Sequence, residues 1–427
     1  MIVKANSKST AVCDTVTHVM LPYDIFTRII DQLASQGDYA DLRSCSQTCR
    51  ILIHPCRFHL FFSVVIRDNA LRFAELLKRN PTIANYIREL TYHTRDLSED
   101  IANAFLLLNN IETLVLHAHD AYGDVYKWPL LTPHLQRALI HLFNSPSITC
   151  LHIDLFEDLP AILLSSCSKL KYLKMTHCDS FSSEACDTII GVPPKLLSLH
   201  VANLRDYNAM EGLFAISRPD GLPILDLSGL RSLVIDIKVM KDEIALGHIL
   251  GLIDGLETLK CRGIYVTMHS ESQNYYSQCL NIVLQHTISD NLAEKLTISL
   301  PTLRALELQW IPPVGTQFDC LPLANLLEAL ACQPNCINEL SFIICLNCYD
   351  YTLTDEGWAP LDHILGDRPG FRQLVKLRFT LWSLYPRKTN QKYIRVRFKD
   401  IKTTKLSQLL PLANDHDEFI LSVDELE

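Results

Sequence analysis

Between Ile87 and Phe379 one short pattern recurs ten times: apolar, two variable, leucine, one variable, apolar. It reads IRELTY at Ile87, IETLVL at Ile111, ITCLHI at Ile148, LKYLKM at Leu170 and LLSLHV at Leu196. It continues as LRSLVI at Leu230, LETLKC at Leu256, LRALEL at Leu303, INELSF at Ile337 and LVKLRF at Leu374. The last three positions of each unit alternate in, out, in, which is the period of a strand with one buried face. Between units lie apolar stretches at helical spacing, among them EDIANAFLLLN after Glu99, LTPHLQRALIHLF ending at Phe143, and KDEIALGHILGLI ending at Ile253. NYYSQCLNIVLQH around Leu280 and LPLANLLEALA ending at Ala331 read the same way.

Strand and helix alternating at intervals of 22 to 47 residues predict an α/β leucine-rich-repeat solenoid, with parallel strands and helices on its convex side. The competing reading is a doubly wound α/β domain with leucine-rich strands. The ninth repeat position, commonly Asn or Cys, holds cysteine here at Cys178 and Cys345. Without a regular polar ladder in the turns, the solenoid is expected to be irregular and its helices long.

Residues 20–62 follow another pattern. Pro22 suits the first turn of a helix, and Ile25, Phe26, Ile29, Ile30 and Leu33 form one apolar stripe. Gly37 ends that helix, Asp38 can cap the next, and Asp41–Ile53 carries Leu42, Cys45, Cys49 and Leu52. Some forty residues in short helices build only a small core. The strings LPYDIFTRIIDQL, DLRSCSQTCRIL and CRFHLFFSVVI resemble an F-box domain of the kind that precedes irregular leucine-rich repeats in fungal proteins. The resemblance implies that these helices dock on a Skp-type adaptor, and through it on a cullin. Carried over by residue, it implies adaptor contacts at Leu21, Pro22, Ile25, Ile29, Leu42, Cys45 and Cys49. The bland reading is an amphipathic helix that caps the solenoid.

Composition narrows the function classes. Apolar residues make up 48% of the chain and charged residues 20%, which excludes a disordered protein. The net charge of −9 disfavours nucleic acid as a partner. Fifteen cysteines without a framework, no secretory signal and no apolar run of membrane-spanning length point to the reducing cytoplasm or nucleus, with no membrane partner. Cys332, Cys336, Cys345 and Cys348 superficially resemble a zinc site, but Cys345 has a repeat role. Cys345 and Cys348 would also point to opposite faces of one strand. His117 and His119 could share a metal but lack a third ligand. No GxSxG, HExxH, GxxxxGK[ST] or GxGxxG string occurs. The expectation is therefore a non-catalytic protein with no metal and no cofactor.

The expected organisation is a flexible start over 1–18, an F-box-like domain over 19–62, a solenoid over 63–410 and an acidic tail over 411–427. A basic strand within 387–405 reads as an edge protected by charge. The resemblance implies a substrate-receptor subunit of a Skp–cullin–F-box ubiquitin ligase. A scaffold of the same repeats without any ligase is the alternative. Strand alternation turns one set of residues outward on the concave face, and Lys260, Arg262, Glu307, Gln309 and Glu339 are the expected contacts for an unidentified target protein.

Overall fold

The computed structural model describes residues 22–94, 98–118, 126–178, 180–183, 191–202, 213–214, 216–237, 240–263, 288–310, 321–346, 358–367, 370–371, 373–383 and 419–425. The chain divides into two compact units, 1–63 and 64–427.

The first unit is three helices: α1 (Tyr23–Ser35), α2 (Tyr39–Thr48) and α3 (Arg50–Phe61). Gly37 leaves α1 at φ 74°, a backbone state that glycine reaches without a Cβ penalty. The segment Asp41–Ile53 is divided between α2 and α3. Cys49 is extended, at φ −147° and ψ 136°, and serves as the N-cap residue of α3. Asp38 holds the N-cap position of α2, though its side chain makes no capping bond. A small core of Ile30, Leu42 and Cys56 gathers Leu33, Ala34, Cys45, Leu52 and Leu60 around it. His59 Nε2 and Asp31 Oδ1, 2.7 Å apart, tie α3 to α1.

In the second unit the strands run β1 (Ser63–Ile66), β2 (Glu89–His93), β3 (Thr113–His117), β4 (Tyr126–Lys127), β5 (Cys150–Asp154), β6 (Phe156–Glu157), β7 (Leu159–Pro160) and β8 (Tyr172–Thr176). They continue as β9 (Phe181–Ser182), β10 (Ser198–Ala202), β11 (Ser232–Ile237), β12 (Thr258–Gly263), β13 (Ala305–Trp310), β14 (Glu339–Leu346), β15 (Lys376–Ser383) and β16 (Phe419–Glu425). Twelve of them form one sheet in the order β1-β2-β3-β5-β8-β10-β11-β12-β13-β14-β15-β16. Every pairing from β2 to β16 is parallel. β4 with β6 and β7 with β9 make two small parallel pairs beside it.

Strand order follows chain order without a reversal. That excludes the doubly wound arrangement, whose order reverses at a switch point, and makes the unit a solenoid-like α/β sheet. Its helices are α4 (Ala70–Arg79), α5 (Glu99–Phe105), α6 (Pro133–Phe143), α7 (Ile162–Ser166), α8 (Met240–Gly251), α9 (Ile288–Leu296), α10 (Leu321–Ala331) and α11 (Trp358–Asp367). Neighbours α4–α5–α6–α7 and α8–α9–α10–α11 pack side by side in one layer. Ser98 Oγ accepts from the Ile101 N–H to start α5, and Thr132 Oγ1 accepts from the Leu135 N–H to start α6, with Pro133 in its first turn. Among the described residues the helices do not reach the length expected: none in this unit exceeds twelve residues and α7 has five; part of the chain between β3 and β10 goes into the two small pairs instead.

The register explains the repeat. Leu90, Leu114, Leu151, Leu173, Leu199, Leu233, Leu259, Leu306, Leu340 and Leu377 are successive register partners, one column across the sheet. None is more than 2% exposed. Each fully buried leucine contributes about 2 kcal/mol, and the first and last template positions are buried with it, from Ile87 and Tyr92 to Leu374 and Phe379. The residue ahead of each strand bonds back to the previous unit, as in Glu112 N–H to Arg88 C=O (2.7 Å) and Lys171 N–H to Thr149 C=O (2.9 Å). Asn338 N–H to Arg304 C=O (2.8 Å) repeats the bond far down the sheet.

The acidic tail needs correction. Residues 419–425 are strand β16, with Phe419, Leu421 and Val423 in register with Leu377, Phe379 and Leu381. The apolar alternation in FILSV outweighs the acids beside it, because a parallel edge strand offers it a ladder. The basic segment 387–405 and the helix expected around Leu280 lie outside the described residues.

Candidate protein-interaction face

With the leucine columns turned to the helices, the alternate columns form the sheet's other face. One runs Val115, His152, Lys174, His200, Val234, Lys260, Glu307, Ser341, Arg378. A second, two residues further along each strand, begins His93, His117, Asp154, Thr176 and resumes Asp236, Arg262, Gln309, Ile343. These side chains are mostly half-buried, whereas their neighbours in each strand are buried.

At the β2–β8 end the face is a closed polar network. The Asp154 carboxylate accepts from His117 Nδ1–H and His177 Nδ1–H at 3.0 Å each, and from the Thr176 hydroxyl at 2.6 Å. With that proton given to Asp154, Thr176 Oγ1 is left to accept from His152 Nε2–H at 3.2 Å. His93 stacks on His117 with ring centroids 4.6 Å apart. Burial of Asp154 works against its ionised form, but the bonds from His117, His177 and Thr176 outweigh it and hold the carboxyl well below the usual carboxylate range. His152 is pushed down to about 4, first by burial and then by the charges of Lys174 and His117. His177 reaches Asp154 from a left-handed backbone, φ 54°, a position uncommon outside glycine. Cys178, the expected ninth-position residue, is buried and its thiol lies 3.8 Å from the Ile153 C=O and 3.5 Å from the Thr176 C=O.

Charges elsewhere on the sheet pair across adjacent strands. Lys260 Nζ donates to Glu307 at 2.9 Å, Lys376 stands 3.5 Å from Glu339, and Arg88 stands 3.4 Å from Glu112. Arg231 pairs with Glu257.

The expected target contacts are therefore partly engaged already. Lys260 and Glu307 hold each other, Glu339 faces Lys376, and Gln309 is only 9% exposed. Arg262 stays half-buried on the face, with no ion-pair partner among the described residues. Long-range spacing hid these pairs, because register across a 47-residue interval is a tertiary fact. His177 was missed because it follows the strand instead of lying in it.

In the first unit, Pro22 and Ile29 are exposed, Ile25 is half-buried and Cys49 is exposed between helices. Leu42 is fully buried and Cys45 packs against it, so these two belong to the core and not to a contact surface. A unit this small needs the apolar stripe of α2 for itself. Leu21 lies outside the described residues. Tyr23, Ile29, Tyr39 and Ile51 remain as large exposed apolar side chains.

Among the described residues no group of three or more His, Cys, Asp or Glu could hold a metal. Cys332 is exposed and Cys336 half-buried; His119 and Cys348 lie outside the described residues. Burial pushes the Cys167 and Cys261 thiols up to about 12, which makes them unreactive core groups. Among the described residues no helix is long and apolar enough to cross a membrane. No protein-family model matches the chain, and no curated protein matches it either.

Proposed function

We propose that the protein is a non-catalytic substrate receptor of a Skp–cullin–F-box ubiquitin ligase, with an F-box-like first unit and a leucine-rich-repeat second unit. The observation that carries the reading is the pairing of two unlike units. One is a three-helix unit of minimal core that leaves Tyr23, Ile29, Tyr39 and Ile51 exposed. The other is a repeat sheet with one half-open polar face. Exposed apolar side chains on a small helical unit suit a helix-docking partner. The polar face suits a protein target, held near the transferring subunits so that proximity does the work.

The test is capture of a recombinant Skp-type adaptor by the intact chain, compared with Ile29→Asp. Capture by the wild-type chain and at least a tenfold loss in the variant are expected. Absence of any adaptor capture by the wild-type chain removes the ligase and leaves the repeat scaffold.

A further inference from the structure

The face changes character between β8 and β12. On β10 and β11 four of the six outward residues are short, Ser198, Ala202, Ser232 and Val234, the others being His200 and Asp236; Ser198 and Ser232 are in register. On one flank β8 raises Tyr172 and Lys174; on the other β12 raises Lys260 and Arg262. Three strand spacings separate the flanks, roughly 14 Å, a distance that one extended chain can bridge over the floor between them. We infer that this trough is the docking site for an acidic peptide segment of the target protein, an assignment that rests on reading the open face as the target surface.

Three observations support a carboxylate-bearing occupant. Cross-strand ion pairs satisfy Lys260, Lys376, Arg88 and Arg231, yet Lys174 and Arg262 have no ion-pair partner among the described residues. On the strands of the trough itself Lys174, Lys260 and Arg262 meet one acid, Asp236 beside Arg262 in register, while the flanking acids Glu307 and Asp154 are already bonded, to Lys260 and to His117, His177 and Thr176. In the floor, His200 Nε2 is buried without a hydrogen-bond partner among the described residues, and such an atom in a native structure calls for an explanation, a bound water or ion among them. The local field agrees: His200 is pushed down to about 4, first by burial and then by Arg262, Lys174, His152 and Lys260.

Lys174 and Arg262 are separated by three strands and offset by two residues, roughly 16 Å, the span of four to five residues of extended chain. Two single carboxylates at that spacing fit two separated cations. Phosphate or a nucleic-acid backbone calls instead for concentrated or forked donors.

The experiment uses the full chain and a fluorescein-labelled peptide of six glutamates flanked by Gly-Ser, with its all-glutamine counterpart as control. Fluorescence anisotropy is expected to show binding of the glutamate peptide, at least tenfold weaker binding of the glutamine peptide, and weakening with salt. Lys174→Glu with Arg262→Glu should reduce affinity at least tenfold, while Lys174→Arg with Arg262→Lys retains it. If the charge-reversed protein loses its thermal transition, the single variants Lys174→Gln and Arg262→Gln carry the same comparison. Equal binding by wild type and charge-reversed protein, no binding by wild type, or a phosphopeptide or single-stranded oligonucleotide binding where the glutamate peptide does not, overturns the assignment. Adaptor capture by the charge-reversed protein separates the two ideas. Loss of peptide with adaptor retained supports the trough, and peptide binding without any adaptor capture by wild type removes the ligase alone.

Discussion

Lys260 and Glu307, 47 residues apart in the chain, are register partners on adjacent strands, and the lysine Nζ donates to the carboxylate at 2.9 Å. A pair of this kind consumes the charges that a binding surface would otherwise present. Both groups are partly solvated, so the coupling is modest. A double-mutant cycle with Lys260→Glu, Glu307→Lys and the swapped double variant should recover about 0.5–1 kcal/mol in the double. Denaturant midpoints measure it, and strictly additive single effects would show that the pair contributes nothing.

Asp154 has the opposite character, since its three donors come from two strands and the turn after them. Asp154→Asn removes the charge and sets an amide N–H₂ against groups that themselves donate. The expected loss is about 1–3 kcal/mol of unfolding free energy, with far-UV dichroism unchanged. An unaltered unfolding midpoint would contradict the network's structural role.

Acid should weaken the sheet through two histidines. His152 and His200 titrate at about 4 in the folded protein, below the ordinary value of 6.5. A depressed histidine pKa means that the unfolded chain binds the proton first. Stability is therefore full above about 6.5 and falls as the pH drops from there towards 4. With solvent screening allowed for, each histidine accounts for on the order of 1 kcal/mol across that window. His152→Gln with His200→Gln should flatten the stability profile between those limits. A slope equal to wild type would sink the idea.

The two apolar positions Ile29 and Leu42 make a paired test in the first unit. Ile29 is 48% exposed, so Ile29→Asp should leave its unfolding transition nearly in place while lowering adaptor capture. Leu42 is fully buried, and Leu42→Ala should cost about 2–5 kcal/mol. If Ile29→Asp unfolds the unit as thoroughly as Leu42→Ala, the exposed side chain is structural and not a docking surface.

The repeat was legible because burial at a two-residue period leaves its mark locally. Each leucine of the ten-fold pattern reports its own strand, and the structure aligned all of them in one column. β16 escaped because the acids around FILSV dominate a charge count, while the ladder that recruits it is supplied by β15.

What the sequence by itself determined is the inward half of the ten repeats: where their strands lie and which of their residues face the helices. Hydrophobic burial acts residue by residue, so its pattern survives in one dimension. The outward half was decided only by tertiary structure. Whether Lys260 is free or held by Glu307, whether Asp154 is bare or bonded to His117 and His177, and whether Lys174 stands without an ion-pair partner depend on register between strands far apart in the chain. Polar groups take their energy from a partner at bonding distance, and the chain's order does not name that partner.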